Sequence, residues 1–179
     1  MLFRSHLALA GWLAAAKRFP DLHHFIVGKS SNDSYHARLV EMARAAGMSE
    51  RVHFLGNVGE NEKIDLLQRA KLFLHTPVTA AGGGFEGFGI VYLEAAAAGI
   101  PSIGTLDCGA EDAIVDGVTG RLVRQEAKAV EAALVEILGD ETLRKKLGGQ
   151  AREHARASPW DDNARRVLEL YRKALEEKR

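Results

Sequence analysis

Residues 71–105 read KLFLHTPVTAAGGGFEGFGIVYLEAAAAGIPSIGT, and the organisation of the chain follows from this stretch. Lys71–His75 is a short, largely apolar run of strand type. A glycine-rich segment, Ala80–Gly89, comes next, followed by an apolar segment, Ile90–Ala98, long enough for a helix. Gly99 stops that helix and Pro101 prevents its continuation. Pro101–Gly104 (PSIG) then returns to strand. Strand, glycine loop, helix and strand in this order form the repeating unit of a parallel sheet.

The same alternation extends in both directions. Residues 5–18 read as a helix stopped by Pro20, with Leu7, Leu9, Trp12 and Leu13 as its packed positions. Leu22–Val27 (LHHFIV) is a strand ending at Gly28, and it places His23 and His24 on opposite faces. Asp33 or Ser34 caps a helix that runs to Ala46 and stops at Gly47. Arg51–Leu55 (RVHFL) is a strand ending at Gly56, and Glu60–Arg69 is a short helix. Beyond the opening stretch, Asp107–Val115 reads as a loop with a short helix and Arg121–Val123 as a last strand. Three helices follow, at about 126–138, 140–156 and 161–177. The expected fold is α/β, a Rossmann-like doubly wound parallel sheet with a helical C-terminal tail. Residues 1–157 form the domain and 158–179 the tail helix. Ligands of such sheets bind outside the C-terminal ends of the strands. Those ends are Gly28, Gly56, the loop after His75 and the loop after Gly104.

Composition excludes several classes. The chain has 179 residues, 46% hydrophobic and 27% charged, which suits one globular domain. Lys plus Arg (24) equals Asp plus Glu (24), so net charge gives no reason to expect nucleic acid as partner. A single cysteine, Cys108, rules out an intrachain disulfide and fits a reducing, cytoplasmic setting. The seven histidines show no metal-ligand spacing. The apolar run Ala8–Ala16 is shorter than the about 20 residues a bilayer span needs, and no cleavage site follows it. It reads as a core helix.

Chemistry concentrates in Gly82–Glu94. Glycines allow the backbone to approach a ligand, and the first N–H groups of a helix lack intrahelical partners. With the helix dipole they favour an anion such as a diphosphate. Glu86 falls in the loop and Glu94 one turn inside the helix. Glu94 suits vicinal ribose hydroxyls and Glu86 a group beyond the phosphates, such as sugar hydroxyls. A glutamate inside the apolar run IVYLEAAAAGI is harder to explain as a solvated surface residue than one in the loop.

Here the sequence resembles a family. Glu86 to Glu94 fits the E-x7-E signature of glycosyltransferase family 4, the retaining, group 1 glycosyl transferases of GT-B fold. EGFGIVYLEAAAAGIPSIGT (86–105), FPDLHHFIVG (19–28), RVHFLGNV (51–58) and DGVTGRLV (116–123) resemble its motifs in order and spacing. The resemblance implies the C-terminal, donor-binding half of a GT-B enzyme that transfers a hexosyl group to an unknown acceptor. By that analogy Glu86 contacts the donor sugar. Gly87, Phe88, Gly89 and Ile90 line the sugar and diphosphate, and Glu94 holds the ribose. Asn57 and Val58 lie near the base, and Gly28 walls the cleft. The donor is a UDP-, GDP- or ADP-sugar, with no metal and no further cofactor. The family's basic pair and first strand are absent, with Arg4 near the place of its lysine. At Cys108–Asp112 (CGAED) the usual loop is replaced, and Asp112 aligns with the family's glutamate.

The partner implied is an N-terminal acceptor-binding domain, through which the whole enzyme would meet a membrane peripherally. The tail helix packs back on the domain or crosses to that partner, and the chain by itself is expected not to transfer sugar. Two other readings stay open: a non-catalytic nucleotide-binding or interaction module, and a GT-B-type nucleotide-sugar epimerase. His53 and His75, at strand ends, read as packed or surface residues, and Lys29 as solvated.

Overall fold

A computed structural model describes residues 5–30, 32–78 and 87–177. The helices are α1 (Ser5–Ala15), α2 (Asp33–Ala45), α3 (Glu60–Arg69), α4 (Ile90–Ala98), α5 (Ala127–Gly139), α6 (Glu141–Arg156) and α7 (Trp160–Glu176). The strands are β1 (His24–Val27), β2 (Val52–Gly56), β3 (Phe73–Leu74), β4 (Ser102–Thr105) and β5 (Gly120–Val123). The α/β reading and the order of elements agree with the sequence expectation. One cap differs: Asn32, not Asp33 or Ser34, caps α2, its side chain accepting the Tyr35 N–H at 3.0 Å. Asp33 and Ser34 already lie within the first turn.

All pairings are parallel, but the strands form two groups, β1–β2 and β3–β4–β5. No described backbone hydrogen bond joins β1 to β3. The groups share one core instead of one ladder. Ile26 and Val52 from the first group and Ile103 from the second belong to a single apolar cluster with Leu9, Trp12, Val130, Leu134 and Ile137. Burial of each such large side chain contributes roughly 1.5–3 kcal/mol, so the shared core, not backbone pairing, is what joins the groups.

The core is layered as parallel strands require, since crossover helices cover their faces. Helices α1 and α5 press closely together. A Cβ on Gly11 would lie 2.5 Å from Val130 Cγ1, so the absence of a side chain sets the approach. A second cluster, Tyr92, Ala110, Ala113 and Ile114 with Phe73, Phe88 and Leu122, seats α4 against β3 and β5. Helix α6 braces α4 from outside: Arg152 Nη2 donates to the Ala98 carbonyl oxygen at 2.8 Å.

His23 and His24 lie on opposite faces of β1, as alternation demands. His24 stacks on Trp12, with ring centroids 5.3 Å apart, and burial pushes its pKa down to about 4. His23 is exposed and its Nδ1 lies 2.8 Å from Nε2 of His53. Helix α7 has no buried residue; Leu168, Leu170, Tyr171 and Leu175 are all exposed. No helix among the described residues is long and apolar enough to cross a membrane.

Candidate functional site

The site is built where the strands end. β1 runs into Gly28, whose φ of 122° turns the chain away from the sheet in a conformation that side chains disfavour. Its N–H donates to the Gly56 carbonyl oxygen at 2.6 Å, joining the ends of β1 and β2. Next to it, the Lys29 N–H donates to Asn57 Oδ1 at 2.9 Å. Gly28 and Asn57, 29 positions apart in sequence, are therefore neighbours on one rim, and Val58 follows half-buried. Asn57 uses one acceptor position of its carbonyl oxygen on this stitch. Its amide N–H groups are two donors it can offer a ligand.

From Val58 the chain enters α3 through Gly59. Helix α4 begins at Gly89, which is buried and holds φ 76°, ψ 69°. That left-handed turn lets a loop enter a helix at close quarters. Among the described residues no side chain caps this end and its first turn carries no acidic residue, as is also true of α5, whereas α2 and α6 have capping side chains and acidic first turns. The Tyr92 N–H donates to the Gly89 carbonyl oxygen at 2.9 Å; the N–H groups ahead of it lie at the positive end of the helix dipole, which favours an anion.

Three contacts position α4. The buried Tyr92 hydroxyl donates to the His75 carbonyl oxygen at 2.7 Å, tying the helix to the end of β3. Phe88 packs into the Tyr92 cluster. The third is an ion pair: Lys63 Nζ on α3 lies 2.8 Å from Glu94 Oε1 and 3.1 Å from Glu60 Oε1. Its hydrogen bonds, first to Glu94 and then to Glu60, hold the Lys63 ammonium above its ordinary pKa. Glu94 is half-buried and Lys63 similarly placed. Sequence reading picked out Glu94 but not Lys63. The Glu60–Lys63 spacing announces only a surface pair at (i, i+3), and nothing local foretells a partner 31 positions away.

Gly87 is exposed, Ile90 is 50% exposed, and Glu94 lies one turn behind Ile90. Glu86 and Arg4 lie outside the described residues. The loop after β4 contributes a further feature that the sequence reading missed. Asp107, at φ 62°, is the one non-glycine residue in the left-handed region among the described residues. Its N–H donates to Glu111 Oε1. Such strain persists only where surroundings enforce it. Asp112 ends a 3-10 turn, Ala110–Asp112, so in this loop it is Glu111 whose carboxylate is engaged. Cys108 is buried, its thiol 3.3 Å from the Pro77 carbonyl oxygen. Among the described residues, no three of His, Cys, Asp and Glu converge as metal ligands would.

The model of the family "Glycosyl transferases group 1" matches residues 7–154. A D-inositol 3-phosphate glycosyltransferase of Corynebacterium urealyticum is 31% identical over 172 residues, 93% of this chain and 39% of that protein. A GDP-mannose-dependent monoacylated alpha-(1-6)-phosphatidylinositol monomannoside mannosyltransferase of Corynebacterium glutamicum is 33% identical over 155 residues, 84% of this chain and 39% of that protein. Among solved structures, Anabaena HepE in complex with UDP-glucose superposes with a TM-score of 0.74 at 24% identity, covering 85% of this chain and 40% of that one. The chain spans about two fifths of the length of each protein. The family model spans most of the chain and the first relative is 31% identical over 93% of it: the chain belongs to the group 1 glycosyl transferases.

Proposed function

We propose that this chain is the donor side of a retaining glycosyltransferase and holds a nucleotide diphosphate sugar across the strand ends. The start of α4 receives the diphosphate, and Glu94 accepts hydrogen bonds from the ribose hydroxyls. The base lies over Asn57 and Val58 beside Gly28, and Gly87, Phe88 and Ile90 line the sugar-phosphate path. Glu86 contacts the donor sugar. The observation that carries the reading is the convergence of these elements. Among the described residues helix α4 starts without a side-chain cap, Glu94 stands one turn inside it, and Lys63 ties it to the helix that follows the Asn57 loop. Charge developing on the departing diphosphate would meet oriented N–H groups, which is the form of stabilisation that contributes most in such sites.

The names of the relatives point to the donor class and leave the base open, since one relative is named for GDP-mannose and HepE holds UDP-glucose. The acceptor side is assigned to sequence beyond the two fifths that this chain covers. The exposed apolar stripe of α7 fits a larger assembly.

The test is calorimetric titration of the chain with UDP, GDP, ADP and their sugars, repeated with Glu94→Ala. Saturable binding of one nucleotide, weakened on the order of tenfold or more by the substitution, is the expected result. Binding of none, or an affinity unmoved in Glu94→Ala, refutes the reading.

A further inference from the structure

A carboxylate that grips a sugar diol beside a diphosphate faces two physical difficulties. Its side chain has three rotatable bonds, so fixing it costs entropy. Its charge repels the phosphates it sits near. In this structure one group answers both. Lys63 Nζ holds Glu94 Oε1 at 2.8 Å from a different helix, which fixes where the carboxylate points and offsets its charge. A carboxylate accepts through both oxygens, about four lone-pair directions in all. The Lys63 bond occupies one oxygen and leaves Oε2 to receive hydroxyl protons.

The surroundings favour this role over a general strap. Glu94 is the single ionisable carboxylate of α4, among Ile90, Val91, Leu93 and alanines, so nothing else on its own helix orients it. Lys63 reaches it from the first turn of α3, immediately after Asn57, Val58 and Gly59. The third member, Glu60, is largely exposed and holds Lys63 from behind at 3.1 Å. Of the three, Glu60 is exposed, whereas Lys63 and Glu94 are both half-buried.

We infer that Lys63 is a positioning residue for the ribose contact, acting through Glu94. This rests on the donor-side reading above. Lys63 need not touch the nucleotide. It sets the Glu94 carboxylate so that two neighbouring hydroxyls are accepted together, and it lowers the cost of placing that carboxylate near a diphosphate. As a bare link between α3 and α4, a pair this exposed would contribute at most about 1 kcal/mol to folding. The two roles therefore separate experimentally.

The experiment uses the full 179-residue chain with UDP, GDP and ADP, each compared with its 2′-deoxy form by calorimetry. The readout is the ratio of the two dissociation constants. Wild type is expected to prefer the ribose form by on the order of tenfold. Lys63→Met brings the ratio to within about twofold while the melting temperature moves by no more than a few degrees. Lys63→Arg, which keeps the charge and a donor, restores the preference. Glu94→Gln is the reference for complete loss. A Lys63→Met chain that keeps the wild-type ratio overturns the inference. If Glu94→Gln has meanwhile lost the preference, the ribose reading stands and only the role of Lys63 falls. If Glu94→Gln also keeps the ratio, or wild type binds none of the three nucleotides, the donor-side reading falls and the inference with it.

Discussion

At the scale of single residues, His24 shows how burial is converted into a pH response. Its ring lies on Trp12, and its pKa falls from about 6.5 to about 4. The folded state therefore resists taking a proton that the unfolded state accepts. Between those two values the unfolded chain binds more protons, so stability rises with pH across that window. The contribution is complete above about pH 6.5 and is lost as pH falls toward 4. A shift of this size corresponds to roughly 3 kcal/mol. Urea unfolding from pH 4 to 7.5 should show that slope, and His24→Phe, which keeps a ring on Trp12, should flatten it. An unchanged slope in the variant would place the effect elsewhere. The sequence reading assigned His23 and His24 to opposite faces because a strand alternates. Which of them packs inward, half-buried against Trp12, depended on where α1 lies.

At the scale of elements, the position of α4 governs the site, and α6 governs part of that position. A Cβ on Gly148 would stand 2.3 Å from the Gly99 carbonyl oxygen and 3.4 Å from Pro101 Cδ. That oxygen belongs to the backbone ending α4 and cannot turn aside. Gly148→Ala is expected to cost about 1–3 kcal/mol as α6 withdraws, and to weaken nucleotide binding by moving Glu94. Gly149 is the control. It lies in the same helix with nothing within 4 Å of an added Cβ, so Gly149→Ala should stabilise by about 0.5–1 kcal/mol. Thermal melts of the two variants give opposite signs if the close approach is as described. Helix α7 supplies the contrasting case. With none of its residues buried, Leu170→Glu should change stability by no more than about 0.5 kcal/mol. A larger loss in a denaturant titration would mean that α7 is packed in solution.

At the scale of the whole molecule, two groups of parallel strands with separate ladders share one apolar cluster. Leu9, Trp12, Val130 and Leu134 belong to the same cluster as Ile26 and Val52 of one group and Ile103 of the other. A shared core couples the groups in unfolding even without backbone pairing between them. Denaturation followed by Trp12 fluorescence, in a Trp160→Phe background, and by far-ultraviolet circular dichroism should give one coincident transition. Two separated midpoints would show that the ladders, and not the core, define the cooperative units.

Much of this protein was legible without coordinates because local rules are written in local sequence. Pro20, Gly47, Gly99 and Pro101 end elements wherever the chain folds, and strand alternation and apolar periodicity set their type. The glycine run before Ile90 led from sequence to the proposed anion site at that helix start, and Glu94 stands out because its neighbours are apolar. What tertiary structure alone decided are the meetings between distant segments. Lys63 finds Glu94, Tyr92 finds the His75 carbonyl and Gly148 finds Gly99, each by long-range packing. The division of the strands into two groups is of the same kind. Propensity and capping act over a few residues, whereas strand order and side-chain partners depend on which faces the whole chain can bury together.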